Sequence, residues 1–194
     1  MKAALTGGMG CGKTFVLSCF AALGWTTVDC DVIARRLLTE DANVARAVRT
    51  RFGDGVFDAS NRIDRKALAA LAFADDAALD DLESLLHPSI REGWERAVAA
   101  SSNKPVIVEI PLLFEKNLEK LFDISVCVTA GRPAQLMRLA GRGFGRNEAL
   151  ARMARQLPMR EKELRADFVI SNNGNLDFTR AQVAQLAGRI VDGL

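Results

Sequence analysis

Apolar and polar positions follow two rhythms along the chain. Lys2 to Thr6 is a short β-type run. In Lys13 to Leu23 the residues Phe15, Val16, Cys19 and Phe20 recur on one face of a predicted helix. Thr26 to Cys30, rich in β-branched residues, predicts a second strand. A long helical stretch extends from Val32 to about Ser101. A Gly/Asp turn over Gly53 to Asp58 interrupts it, as does His87-Pro88, because a residue before proline avoids the helical region. Val106 to Ile110 is the most hydrophobic strand and Ile124 to Val128 the next. Arginine-rich helices follow over roughly Pro133 to Leu164. Asp167 to Ile170 predicts a last strand, Asn172 to Asn175 a loop, and Phe178 to Val191 a closing helix.

Five short strands, apolar on both faces and separated by helices, predict an α/β fold: a five-stranded parallel sheet covered on both sides, three layers in all. About 75 residues separate the second strand from the third. That exceeds a plain crossover, so a helical insertion forming a substrate subdomain is expected there. Neither a repeat nor a low-complexity linker nor a second core is visible.

Composition narrows the class. The chain has 194 residues, 49% of them hydrophobic, which gives a core and excludes disorder as the main state. Apolar runs such as Pro105 to Leu113, which Glu109 breaks, fall far short of the roughly 20 residues of a membrane span. The first glycine of a turn, Gly7, follows only five strand-like residues, so no signal peptide is expected. Four cysteines (Cys11, Cys19, Cys30, Cys127) without CxxC spacing, and one histidine, argue against a zinc site. They read as reduced thiols of a cytoplasmic protein. A net charge of +2 argues against nucleic-acid binding through bulk charge. Yet Gly131 to Arg165 holds eight Arg and one Lys against three Glu, a local +6 that leaves −4 for the remainder. An anion is expected to meet that segment.

The sharpest motif is Gly7-Gly8-Met9-Gly10-Cys11-Gly12-Lys13-Thr14, a complete G-x-x-x-x-G-K-[ST] between a strand and a helix. Its glycines let successive N–H groups face phosphate oxygens, and the helix adds the positive end of its dipole. Lys13 brings a mobile charge to the β- and γ-phosphates, and the Thr14 hydroxyl can ligate Mg²⁺. A dinucleotide site is excluded, because Lys13 and Phe15 stand where the third glycine of G-x-G-x-x-G would fall. Cys11 is either a redox-sensitive thiol or a small residue filling a tight turn.

Asp29-Cys30-Asp31 closes the second strand, where parallel sheets place their ligands. A carboxylate there can accept a proton from a substrate hydroxyl or hold a metal-bound water, or Asp31 can simply cap the helix beginning at Val32; spacing does not separate the functional reading from the cap. Glu109 ends the third strand, suited to organising Mg²⁺ or to a buried ion pair. Arg138 and Arg142, four residues apart, would share a helix face and offer planar donors to phosphate. Asp75 to Glu83, five acids and no base, reads as a solvated helix face, and Trp25 and Trp94 as packing residues. The Asn-Lys-x-Asp motif of GTPases is missing, and Asn103-Lys104-Pro105 does not complete it.

Several segments together resemble the dephospho-coenzyme A kinase family. They are Ala4 to Lys13, Val28-Asp29-Cys30-Asp31-Val32-Ile33-Ala34-Arg35, Leu86-His87-Pro88-Ser89-Ile90, Ile110-Pro111-Leu112-Leu113-Phe114-Glu115, Arg152 to Gln156, and Ala166 to Gly174. They span essentially the whole chain in order. The resemblance implies a P-loop, nucleoside-kinase-like fold that phosphorylates the ribose 3′-hydroxyl of dephospho-coenzyme A with MgATP, the last step of coenzyme A synthesis. It implies a core of residues 1–30, 104–130 and 166–194, a coenzyme A-binding helical insertion at about 31–103, and a lid at about 131–165. By the same resemblance Asp31 is the base and Arg35 a substrate contact. His87 and Leu113 fall in the acceptor region, Arg138 and Arg142 are lid arginines, and Asn172 to Gly174 lie beside the adenine. Gly8, Gly10, Cys11, Gly12, Lys13, Thr14 and Phe15 would form the ATP site. ATP and dephospho-coenzyme A are the expected partners, with no nucleic acid, membrane or obligatory protein partner. Two departures stand out: Phe15 replaces a second hydroxyl after Thr14, leaving only a backbone N–H for the α-phosphate, and Cys30 replaces alanine. Taken without the resemblance, His87 reads as a cap or a packed residue. The competing classes are another small-molecule or nucleotide kinase and a regulatory nucleotide-binding module without turnover.

Overall fold

The computed structural model describes residues 1–101 and 104–191. Asn103, the end of the expected insertion, and the last residues of the expected core lie outside them. The elements in order are β1 (Lys2–Gly7), α1 (Lys13–Ala22), β2 (Thr26–Asp29), α2 (Cys30–Glu40), α3 (Ala42–Phe52), α4 (Arg65–Ala74), α5 (Asp76–Ala99), β3 (Val106–Glu109), β4 (Ile124–Thr129), α6 (Arg132–Ala140), α7 (Arg146–Ala154), α8 (Met159–Arg165), β5 (Phe168–Ser171) and α9 (Leu176–Val191). They form two compact units, Met1–Val28 with Ala100–Leu194, and Asp29–Ala99.

In the first unit the strands lie in the order β2-β3-β1-β4-β5. The register sets Leu5 beside Glu109 on one side and Val126 on the other, and Val128 beside Ile170. All of β3 is buried, as are five of the six residues of β1 and of β4, which is why these runs carry no polar alternation. Edge strand β5 is only partly covered. One layer of core joins Ala3, Leu5, Ile107, Val126 and Val128 to Val16 and Phe20 of α1 and to Val183, Leu186 and Ile190 of α9. Trp25 closes it edge-on against Phe20, ring centroids 5.0 Å apart. Asp167 ties β5 to β4 through the N–H and Oγ of Ser125, both at 2.7 Å. Because β1 is central, and the chain runs from it to β2 at one edge but from its neighbour β4 to β5 at the other, its carboxyl end is the switch point at which such sheets bind ligands.

The second unit is helical, with its own core of Val44, Val48, Val56, Leu68 and Leu86. Aspartates set its breaks. Asp41 caps α3, Asp64 caps α4 and Asp75 caps α5 through main-chain N–H groups. The acidic run is therefore more than a solvated face, since Asp81 also pairs with Arg51. The expected turn near Gly53 forms, followed by a bridge of Phe57 to Ile63 around Asp58. Hydrogen bonds from the Arg62 N–H, above all, hold the Asp58 carboxyl below its ordinary pKa. The break expected at His87-Pro88 does not occur: α5 runs through it with Pro88 inside. A proline within a helix costs about 3 kcal/mol. Leu86 and Trp94, both buried along the same helix, return about 1.5–3 kcal/mol each, so packing outweighs the local preference.

Candidate active site

The loop between β1 and α1 has backbone that only glycine adopts readily. Gly10 has φ +79° and Gly12 +92°; a Cβ on Gly12 would stand 2.2 Å from Nδ2 of Asn172. Among the described residues, the N–H groups of Gly10, Gly12, Lys13 and Thr14 find no main-chain acceptor, whereas Cys11 N–H closes onto Gly8 O at 3.2 Å. Four donors at a helix start form a cradle for phosphate oxygens. Lys13 Nζ donates to Gly7 O at 3.2 Å and Gly8 O at 3.4 Å and lies 4.0 Å from Glu109 Oε1. Glu109 is buried and makes the ion-pair contact that its sequence position allowed. Thr14 is exposed at the first turn, and Phe15 packs its ring under the Arg180 guanidinium at 5.3 Å. Burial holds the Cys11 thiol above its ordinary pKa despite nearby Lys13, so it is a small protonated filler rather than a reactive thiol.

Arg138 and Arg142 do not share a helix face. α6 stops at Ala140, where Gly141 and a left-handed Gly143 turn the chain, and Arg142 stands exposed in that turn. Arg138 reaches inward. Its guanidinium donates to Gly10 O and Cys11 O, each at 3.2 Å, and to Asn172 O at 2.7 Å. Asn172 is buried; its Nδ2 donates to Cys11 O at 2.8 Å and its Oδ1 accepts from Thr179 at 3.0 Å. Its side chain is thus spent on joining the loop to α9. Gly174 is exposed just beyond. Leu113 is fully buried, so its side chain belongs to the core, not to a ligand-facing surface.

Other residues escaped the sequence reading. Gln135 Nε2 donates to Met9 O at 2.8 Å, Gln156 Oε1 accepts from Met9 N–H at 2.9 Å, and the Met159 sulfur accepts from Gly8 N–H at 3.1 Å. Lys162, wholly buried, pairs with Glu115 at 2.7 Å and donates to Pro111 O at 3.1 Å, while Glu115 also accepts from Leu157 N–H at 3.0 Å. Glu115 and Gln156 lie inside the family-like segments, but only their partners reveal what they do.

Within the helical unit, Asp29, not Asp31, is the cap of α2. Its Oδ1 accepts from the N–H groups of Asp31 at 2.8 Å and Val32 at 3.1 Å. Asp31 therefore sits in the first turn with its carboxylate relieved of capping. Arg35 Nε donates to Asp31 O at 3.1 Å, which holds the arginine along the same turn. His87 is half-buried in the middle of α5.

Relatives match this chain along nearly its whole length. The family profile for dephospho-CoA kinase matches residues 1–177. A dephospho-CoA kinase of Frankia casuarinae is 39% identical over 183 residues, covering 94% of this chain and 80% of its own. Among solved structures, a Thermus thermophilus protein superposes with a TM-score of 0.82 at 34% identity, covering 97% of each chain. Dephospho-CoA kinase from Campylobacter jejuni gives 0.72 at 26%, covering 100% of this chain and 99% of its own. With a phosphate loop of four open donors at the sheet's switch point and a match of this extent, the chain belongs to the dephospho-CoA kinase family.

Proposed function

We propose that this protein transfers the γ-phosphoryl group of ATP to the ribose 3′-hydroxyl of dephospho-coenzyme A, giving coenzyme A and ADP. Family membership along the whole chain carries the reading. The open N–H groups of the loop supply its physical content. They hold the phosphates, and Lys13 leaves the Gly7 and Gly8 carbonyls for the β- and γ-oxygens. Arg142, exposed in its turn, meets charge developing on the transferring group. Asp31, freed from capping by Asp29, orients the acceptor hydroxyl and takes its proton, with Arg35 and His87 contacting the acceptor. Phe15 presents its N–H to the α-phosphate and Gly174 borders the adenine.

Mg²⁺ suits the donor set. An exposed hydroxyl on Thr14 and the Glu109 carboxylate are hard oxygen donors, and the described residues form no group of three His, Cys, Asp or Glu around a cation. That fits an ion that keeps waters and phosphate oxygens as its other ligands. Thr14 and Glu109 would hold it, and it would neutralise charge on the phosphates. Buried thiols outside any disulfide fit a cytoplasmic setting. No described helix is long and apolar enough to cross a membrane.

The test is ATP turnover with a panel of hydroxyl acceptors that includes dephospho-coenzyme A, shikimate and nucleoside monophosphates. Coenzyme A formation with a clear preference for the first is expected. Preference for another acceptor makes this a different small-molecule kinase, and nucleotide binding without turnover makes it a regulatory module.

A further inference from the structure

The open donors of the phosphate loop are aimed in two different ways. A peptide unit is planar, with its C=O and N–H on opposite edges, so anchoring the carbonyl fixes where the N–H points. The N–H groups of Lys13 and Thr14 belong to peptides at the start of α1, and the helix anchors them; Gly12 O, for example, accepts from Phe15 and Val16 at 3.1 and 3.2 Å. Gly10 and Gly12 precede the helix and have no such support. For Gly12 the carbonyl on the same peptide is Cys11 O, held by both Arg138 and Asn172. For Gly10 it is Met9 O, whose described partner is Nε2 of Gln135 at 2.8 Å. Gln135 is buried, with only 3% of it exposed, and the same Nε2 also donates to Cys11 Sγ at 3.2 Å. The neighbouring peptide is braced as well: Gln156 takes Met9 N–H, while Gly8 O receives Cys11 N–H and Lys13 Nζ.

We infer that Gln135 is a positioning residue for nucleotide binding, aiming the Gly10 N–H at phosphate by holding Met9 O, with Gln156 bracing the preceding peptide. Without that anchor the Met9–Gly10 peptide can rotate, because Gly10, at φ +79°, has no side chain to resist it. A donor turned away is lost to the phosphate although every atom of the loop remains. This inference rests on the kinase reading, but its readout is ADP affinity, which needs no acceptor.

The experiment compares Gln135→Met and Gln156→Met with wild type by calorimetry with ADP and by NMR titration with adenosine, after thermal melts confirm folding. Gln135→Met keeps side-chain length and removes the donor. It should weaken ADP about tenfold, the order of one hydrogen bond to a charged group, and leave adenosine within about twofold. Gln156→Met should weaken ADP about threefold with adenosine unchanged. Unchanged ADP affinity in folded Gln135→Met overturns the inference, as does an equal loss for ADP and adenosine, which marks a general structural role. If Gln135→Met does not fold, Gln156→Met decides in the same way: a selective loss of ADP supports the inference and none overturns it. A wild type that binds ADP yet forms no coenzyme A would remove the proposed reaction and leave this assignment standing.

Discussion

The phosphate loop follows the carboxyl end of β1 and the aspartate pair stands at the carboxyl end of β2, yet they are held differently. Around the loop, Gln135, Arg138, Gln156 and Asn172 come from up to 161 residues away, and each takes a main-chain group. At the start of α2 the bonds are local: Asp29 to the N–H groups two and three residues on, and Arg35 to the carbonyl four residues back. Long-range anchors freeze a set of donors before the nucleotide arrives, which is how electrostatic preorganisation works. Local capping does something else. It orients the helix start and assigns the capping role to Asp29 rather than Asp31.

The largest expected effect tests the loop's charge. Lys13→Ala keeps the N–H cradle but removes the cation, and turnover should fall by about a thousandfold or more. Steady-state rates within about threefold of wild type would end the assignment of Lys13 to phosphoryl transfer.

The aspartate pair should split next. Asp31→Asn keeps size and an acceptor oxygen but loses basicity, so the saturated rate should drop by roughly two to four orders of magnitude with normal ATP binding. Asp29→Asn should behave almost like wild type, because asparagine caps as well as aspartate, while Asp29→Ala should cost about 1 kcal/mol of stability. The reverse pattern, an inactive Asp29→Asn beside a competent Asp31→Asn, would exchange the two roles.

Arg138 and Arg142 sharpen the contrast within one segment. Arg138→Ala abandons the Gly10, Cys11 and Asn172 carbonyls and should raise the ATP KM and lower the melting temperature. Arg142→Ala leaves no such groups stranded and should lower kcat by about tenfold with KM and melting temperature unmoved. Kinetics and melts on both variants check the split, and identical profiles for the two would refute it.

A smaller effect concerns Cys127, whose thiol burial pushes up from the ordinary 9.0 to about 12. Between those values the unfolded thiol loses its proton while the folded one keeps it, so the unfolded state binds fewer protons and stability falls as pH rises. The slope is up to about 1.4 kcal/mol per pH unit above pH 9, and below it the term vanishes. Denaturant melts at pH 8, 9.5 and 10.5 should show the decline, shallower in Cys127→Ala. A variant with the same pH slope as wild type would assign the alkaline loss to other groups.

Much of this protein follows from the order of its residues alone. The apolar runs of β1, β3 and β4 are continuous because both faces are buried, so those strands are legible without partners. The phosphate loop is equally legible, since eight adjacent residues contain its turn, its charge and its hydroxyl. What the fold decided are matters of long-range contact. Pro88 stays inside α5 because burial of Leu86 and Trp94 outweighs a local preference. Arg138 and Arg142 part company because α6 ends between them and the loop's carbonyls stand beside only one. Gln135 and Lys162 look like ordinary polar residues in the chain, and each gains its task from an acceptor brought close by folding: Met9 O for one, Glu115 and Pro111 O for the other. Periodicity and motif record what neighbours in sequence must do, whereas a hydrogen bond across a hundred residues leaves no local trace, and only the packed structure supplies its second partner.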